Sequence, residues 1–317
     1  MTPTFASSLK VDFVDFFHTF SRTDNHMLKL LQPHFPLELS DNPDYLFYSV
    51  WGGKHSHEKY NRCIKIFCTE ENVRPNFCKC DYSLTFDYSD NPRNLRLPLY
   101  VRYLFQSQER NGASLVKPPR FDPEKILASK TKFCNFVYSN PVAERLRFFE
   151  MLSRYKRIDS GGSVANNIGR RVDDKLEFIA PYKFTIAFEN SSYPGYVTEK
   201  LVEPMLVNSM PIYWGNPLIA HDFNAGSFIN CHEYPDWQAV IKKIVELDQE
   251  PSQYLKYAKE PWFRDNVPNS YCQPDYLVPF FSQVFNDKTQ GCRRLDPNIR
   301  KLDQRTNRYH FSEGDDA

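Results

Sequence analysis

Residues 183–214 read KFTIAFENSSYPGYVTEKLVEPMLVNSMPIYW. The run KFTIAF (183–188) is continuously apolar over the length of one strand, and MPIYW (210–214) is a second such run. Between them a helix starts at Thr198, with Val197 and Leu201 four residues apart and able to face a core. A strand, a helix and a strand in that order is the unit of a parallel sheet, because parallel strands need a crossover. Pro204 falls inside the helix expected from Thr198 to about Val207 and should kink or shorten it. Between strand and helix sit Glu189, Asn190, Tyr196, Thr198, Glu199 and Lys200, more polar chemistry than a connector needs.

The same rhythm extends in both directions. KFCNFVYS (132–139) reads as a strand, followed by a helix for which Asn140 is the expected N-cap and Pro141 the first residue; Leu146, Phe149 and Leu152 share one face. A Gly-rich turn, DSGGSVANNIG (159–169), comes next, and after MPIYW follow the strand SFINC (227–231) and the helix PDWQAVIKKIVELD (235–248). In the N-terminal third, LKVDFVDF (9–16), YLFYSVW (45–51), CIKIFCT (63–69) and YSLTFDY (82–88) read as strands, and MLKLLQPHFPLE (27–38) begins as a helix stopped by Pro33 and Pro36. The polar, proline-rich stretch 106–131 places a boundary, giving domains 1–128 and 129–317, with a polar C-terminal tail. The expected class is α/β, two halves around a cleft, with ligands beyond the carboxyl ends of the strands.

Forty basic and 39 acidic residues leave a net charge of +1, which lacks the footprint of a general nucleic-acid binder. Cysteines at 63, 68, 78, 80, 134, 231, 272 and 292 include no Cys-x-x-Cys and fall partly in apolar strands, so reduced thiols are expected rather than a disulfide framework or zinc ribbon. Asp12 and Asp15 interrupt the N-terminal apolar run, which fits neither a signal peptide nor a membrane anchor, and the expected location is the cytoplasm.

In the 189–200 cluster, Thr198 can cap the helix and leave the first-turn amides of Glu199 and Lys200 open, a geometry that favours an anion. Lys200 adds a cation, Tyr196 a hydroxyl and Asn190 an amide, whereas Glu199 suits sugar hydroxyls, so a sugar nucleotide fits better than phosphate alone. An ordinary capped helix with a surface Glu and Lys is the competing reading. Asn190-Ser-Ser is formally a glycosylation sequon at a strand end where modification is not expected. In KHSHE, His55, His57 and Glu58 lack further nearby ligands and read as a solvated loop, and His221 and His232 have no partner set, so no metal site is expected.

Residues 182–217 closely resemble the hallmark segment of the α1,3-fucosyltransferases, especially the bacterial enzymes that build Lewis-type glycans. Three further blocks follow the family order: 66–88 with RLPLY (96–100), FVYSNPVAERLRFFEML (136–152) and GGSVANNIG (161–169). The resemblance covers roughly residues 60–235. It implies a GT-B fold of two Rossmann-like domains facing a central cleft, the N-terminal one for the acceptor and the C-terminal one for GDP-fucose. The implied reaction is inverting transfer of L-fucose from GDP-β-L-fucose to the 3-hydroxyl of N-acetylglucosamine in a lactosamine-type acceptor. GDP-fucose is then a substrate, no metal or other cofactor is needed, and nucleic acid is no partner. A bacterial enzyme of this kind would work in the cytoplasm at the inner membrane surface, an association the chain does not itself encode.

The resemblance also assigns residues. The family's base corresponds to Glu71 in CTEEN, where Glu70 stands in place of the usual Gly and leaves open which carboxylate faces the cleft. Arg145 matches an arginine on the donor diphosphate, with Arg147 on another helical face. Asn190, Tyr196 and Lys200 match donor-site residues, and Glu199 matches the carboxylate on the donor's sugar hydroxyls. Glu189 is left without a role. Gly161, Gly162, Ser163 and Asn166 are candidates to wrap the nucleotide or simply form a loop. An α1,4 or mixed-linkage transferase and an inactive glycan-binding relative are the alternatives.

Overall fold

The structure is a computed structural model that describes residue 5 and residues 7–52, 56–106, 110–273 and 275–287. The chain divides into two units, one of Met1–Gln108 with Gln273–Ala317 and one of Glu109–Cys272. Each is built on its own parallel sheet.

In the first unit the strands are β1 (Leu9–Val14), β2 (Leu37–Leu39), β3 (Tyr45–Tyr48), β4 (Ile64–Cys68), β5 (Tyr82–Thr85) and β6 (Asn94–Arg96), in the spatial order β2-β1-β3-β4-β5-β6. Helix α1 (His26–Leu31) starts on the Asn25 cap, whose side chain accepts from the Leu28 amide at 3.0 Å, and ends before Pro33. Helix α2 (Leu99–Gln106) follows β6. β2, directly after Pro36, is a strand the sequence reading did not name; it is three residues long and held along the edge by β1. Apolar side chains on both faces explain the unbroken hydrophobic strands. Val11, Leu46, Phe47, Ile66, Cys68 and Leu84 are fully buried, and Phe13 stacks on its register partner Phe47 at 5.0 Å.

The second unit holds α3 (Pro123–Ser129), β7 (Lys132–Phe136), α4 (Ala143–Ser153), β8 (Ile158–Ser160), α5 (Lys175–Ile179), β9 (Tyr182–Phe188), α6 (Glu199–Leu206), β10 (Met210–Trp214), β11 (Ile229–Asn230), α7 (Trp237–Gln249) and α8 (Pro251–Lys259). Its strand order is β11-β10-β9-β7-β8. β9 is buried along its whole length, and Phe136, Phe148, Phe184, Ile186, Phe188 and Ile212 form the core around it. α6 ends two residues past Pro204, as a proline that cannot bond back to the preceding turn predicts. Two strand readings need correction. β8 replaces the start of the expected Gly-rich turn, and SFINC contracts to Ile229–Asn230 because Asn230 caps a turn over Cys231–Glu233.

The C-terminal end also departs from expectation. Helix α9 (Val278–Asn286) belongs with the first unit, not the second, and the break falls at Gln108 instead of near 128. The reason is aromatic: Phe281 stacks on Phe47 at 5.9 Å, and Phe285 meets Tyr45 at 4.8 Å and Phe35 at 4.9 Å. Tyr45 donates to the Phe285 carbonyl at 2.6 Å and Tyr82 to Asp287 at 2.7 Å. Among the described residues no helix is long and apolar enough to cross a membrane.

Both sheets reverse their winding once. The second strand in sequence pairs on one side of the first and the third pairs on the other, so the reversal lies between β1 and β3 in one unit and between β7 and β9 in the other. The carboxyl ends of those four strands are where this architecture leaves a crevice for ligands. The packing of α9 makes a stability prediction: Phe281→Ala removes a fully buried ring and should cost about 3–5 kcal/mol, read as an earlier denaturant transition of the first unit.

Candidate functional site

At the reversal in the second unit stands Arg145. α4 begins at Ala143, with no side-chain cap from Val142, so the expected Asn140 cap is not made. Asn140 is used differently: its carbonyl accepts from Arg145 Nη1 at 2.9 Å and from the Val142 amide at 3.0 Å. Arg145 Nη2 donates to the Phe188 carbonyl at 2.9 Å and to Asn190 Oδ1 at 3.0 Å, and the guanidinium lies 3.8 Å from the Tyr138 ring centre. Burial lowers its pKa, but Tyr138, Glu189 and Glu199 oppose the shift, and a guanidinium remains charged at any physiological pH. Its Nε has no partner among the described residues. Arg147 is exposed, as its helical face predicts.

On the other side of the β9 end, Glu189 is fully buried. Its Oε1 accepts from the Thr198 amide at 2.8 Å and its Oε2 from the Thr198 hydroxyl at 2.7 Å. Thr198 caps α6 by accepting from the Lys200 amide at 3.4 Å, so that amide is not open as the sequence reading expected. Lys200 Nζ donates to Thr198 Oγ1 at 3.1 Å and lies 3.0 Å from Glu199 Oε1 and 3.6 Å from Glu189 Oε2. A side chain on Gly215 would put its Cβ 2.4 Å from Glu189 Cγ, which explains the glycine. Tyr196 is buried, and its carbonyl accepts from the Tyr213 hydroxyl at 3.3 Å.

These neighbours fix the charges. Burial alone would neutralise Lys200, but the two carboxylates outweigh it and raise its pKa above the ordinary lysine value. Burial likewise pushes Glu199 up, and the ammonium of Lys200, with a smaller effect from Lys175, overrides it and holds Glu199 down at about 2. For Glu189 burial wins over Lys200, and its pKa is raised. Two cations and two carboxylates are thus gathered with Asn190 and Tyr196 around the ends of β7 and β9. Glu189 was the residue whose role the sequence left open; nothing in a fully buried strand says which way its last side chain turns.

Residues 161–166 are held by their own loop. Gly162 admits no side chain because a Cβ would lie 2.0 Å from the Tyr138 carbonyl oxygen, and Asn166 donates to the carbonyls of Gly162 at 2.7 Å and Arg170 at 2.9 Å. Ser163 donates to the Ser139 carbonyl at 3.4 Å. A Cβ on Gly161 would lie 2.3 Å from Val172. Packing accounts for both glycines.

In the first unit, a cavity of about 520 Å³ has Glu70 and Glu71 in its wall, with Phe17, Trp51 and His26. Glu71 is half-buried at the end of β4, its amide bonded to Thr69 Oγ1 at 3.0 Å, whereas Glu70 is exposed. His26, which sequence reasoning missed, is buried with its Nε2 unpartnered among the described residues. Burial and the nearby Arg102 and Lys29 hold its pKa at about 3, so the ring is neutral and able to donate or accept. The solvated-loop reading of KHSHE is corrected for His57, which is buried against Asp15 and Tyr48; Glu58 pairs with Lys79 at 3.4 Å, and His55 lies outside the described residues. His232 Nε2 sits 3.2 Å from the Gly215 carbonyl, and His221 is exposed. Among the described residues no three His, Cys, Asp or Glu are grouped to hold a metal ion.

Two family models match the chain. The model of the alpha-(1,3)-fucosyltransferase FucT N-terminal domain matches residues 11–103, and that of the glycosyltransferase family 10 (fucosyltransferase) C-terminal region matches residues 127–289. Alpha-(1,3)-fucosyltransferase FucT of Helicobacter pylori is 34% identical over 256 residues, 71% of this chain and 54% of that protein. Human 4-galactosyl-N-acetylglucosaminide 3-alpha-L-fucosyltransferase 9 is 31% identical over 147 residues, 44% of this chain and 40% of that one. The chain therefore spans about half, or less, of the length of these relatives. A crystal structure of alpha1,3-fucosyltransferase with GDP superposes with a TM-score of 0.75 at 27% identity, covering 92% of this chain and 94% of that one. One with GDP-fucose gives 0.72 at 26%, covering 91% and 94%.

Two predictions follow from the charge cluster. Glu189→Ala removes one of the two carboxylates beside Lys200 and leaves the buried Thr198 amide and hydroxyl without their acceptor, and should destabilise the second unit by about 1–3 kcal/mol, measured by denaturation; Glu189→Gln should cost less. Glu199 titrates below its unfolded value, so its stabilisation is complete above about pH 4.3 and fades as the pH falls toward about 2. The stability gap between the protein and its Glu199→Gln variant should stay level from about pH 5 to 9 and close in acid. A gap that widens in acid would reverse the assigned sign.

Proposed function

The chain belongs to the glycosyltransferase family 10 fucosyltransferases, and on that premise we propose that it is an inverting α1,3-fucosyltransferase. It moves L-fucose from GDP-β-L-fucose to the 3-hydroxyl of N-acetylglucosamine in a lactosamine-type glycan. The observation that carries this reading is the pair of cations, the buried Arg145 and the part-buried Lys200, brought to the β7–β9 reversal beside a carboxylate, Glu199. A diphosphate leaving group needs such positive charge, fixed in advance. A glycan-binding protein without turnover has no use for it.

The chemistry divides among named groups. The acceptor 3-hydroxyl loses its proton to Glu71 as its oxygen bonds to the fucose anomeric carbon. The bond from that carbon to the β-phosphate oxygen breaks, and its electron pair leaves with GDP. Attack opposite the leaving group turns the β-linked donor into an α-linked product. Lys200, and Arg145 through its guanidinium, whose Nε has no partner among the described residues, compensate the charge that grows on the diphosphate. Asn190 holds Arg145 and Tyr196 closes the same wall. Glu199, more than a third exposed and paired with Lys200 through Oε1, is placed to accept from the fucose hydroxyls. Partial burial and a fixed backbone support Glu71 over the exposed Glu70 as the base. The glycines at 161 and 162 need no ligand to explain them, so the donor loop reading adds nothing to this proposal.

The name of the Helicobacter pylori relative supports the transferred sugar and the linkage, and the solved structures carrying GDP and GDP-fucose support the nucleotide donor. The deciding experiment is transfer from GDP-fucose to a panel of type 1 and type 2 disaccharides with the product linkage determined. Glu71→Gln should lower turnover by about 10²–10⁴-fold while GDP still binds, and Glu70→Gln should retain most activity. Full turnover in Glu71→Gln would remove it as the base.

A further inference from the structure

Among the described residues five large apolar side chains are exposed: Phe17, Val50, Trp51, Val73 and Val267. Single exposed apolar residues are ordinary. Phe17 and Trp51 are not single: their rings meet edge to face at 4.9 Å, they are 44% and 47% exposed, and both line the cavity that holds Glu70 and Glu71. They also come from particular places. Phe17 follows β1 and Trp51 follows β3, the two strands between which the first sheet reverses, so this aromatic corner stands at the crevice the topology provides.

The position of Trp51 is held by a device that the core does not require. Asp15, just past β1, has a φ of +59°, a left-handed conformation that Asp tolerates but rarely adopts. Its carbonyl accepts from the Trp51 amide at 2.8 Å, while its carboxylate accepts from the amides of Ser56 and His57 at 3.0 Å each and lies 2.5 Å from His57 Nδ1. His57 in turn stacks on Tyr48 of β3 at 4.3 Å. Gly52 completes the fit, because a Cβ there would lie 1.8 Å from the Asp15 carboxylate. Strained backbone of this kind collects at functional sites.

We propose that Phe17 and Trp51 are the stacking surface for a sugar ring of the acceptor, and that Asp15 is the positioning residue that fixes Trp51 in the cavity wall. This rests on the fucosyl-transfer reading above. A pyranose offers an apolar C–H face to an aromatic ring and turns its hydroxyls outward, and the polar groups that would meet those hydroxyls are already in the same wall: Glu70, Glu71 and the unpartnered Nε2 of His26.

The test is calorimetric titration of N-acetyllactosamine into the full chain, with and without GDP, after GDP binding itself has been measured. Trp51→Ala should weaken lactosamine binding about tenfold and Trp51→Phe less than about threefold, with GDP affinity unchanged in both. Asp15→Asn should follow Trp51→Ala; if that variant does not fold, the exposed position 51 still decides. Lactosamine affinity unchanged in Trp51→Ala, or no lactosamine binding by the unaltered protein, overturns the inference. Failure to bind GDP overturns the donor reading instead, and the comparison at position 51 is then judged on lactosamine alone.

Discussion

One carboxylate with no exposed surface, Glu189, fastens the end of β9 to the first turn of α6. Through Thr198 it sets where the helix starts, and with Glu199 it keeps Lys200 protonated in a part-buried place. Arg145 grips the same strand end from the other side, through the Phe188 carbonyl and the Asn190 side chain. Residues 188–190 are therefore clamped by two cations that are held by contacts within the protein. Donors held in advance have little reorganisation to undergo when negative charge develops beside them, which is the usual source of large catalytic effects.

The two units place different chemistry at the same topological point. Each sheet reverses between its first and third strands, and each gathers its unusual side chains there. The second unit collects cations, suited to a nucleoside diphosphate, and the first collects carboxylates, a neutral histidine and two exposed rings, suited to a hydroxyl-rich saccharide. A reaction that must both carry off a diphosphate and accept a proton from a sugar needs those two sets and little else from the protein.

Much of this was legible in the residues themselves. The βαβ rhythm of 183–214 and the Thr198 cap follow from local periodicity and hydrogen bonding, and the structure has both. What local rules could not give was set by distant partners. Asn140 looked like a helix cap, but Arg145, five residues on, claims its carbonyl. The apolar pattern of α9 announced burial without naming the sheet it would cover, a choice made by Phe47, Tyr45 and Phe35 hundreds of residues earlier in the chain. Asp15 and His57 drew other readings from sequence, and what they do together with Gly52 exists only in their contact. Glu71 against Glu70 is a case of the same kind: adjacent side chains in one cavity wall are separated by burial, not by pattern.

The most direct test of the central claim is a crystal structure of the protein with GDP. The diphosphate should lie at the ends of β7 and β9, with its oxygens within hydrogen-bonding distance of Lys200 Nζ and the Arg145 guanidinium. A well-ordered nucleotide bound anywhere else, with Lys200 still paired only to Glu189 and Glu199, would contradict it.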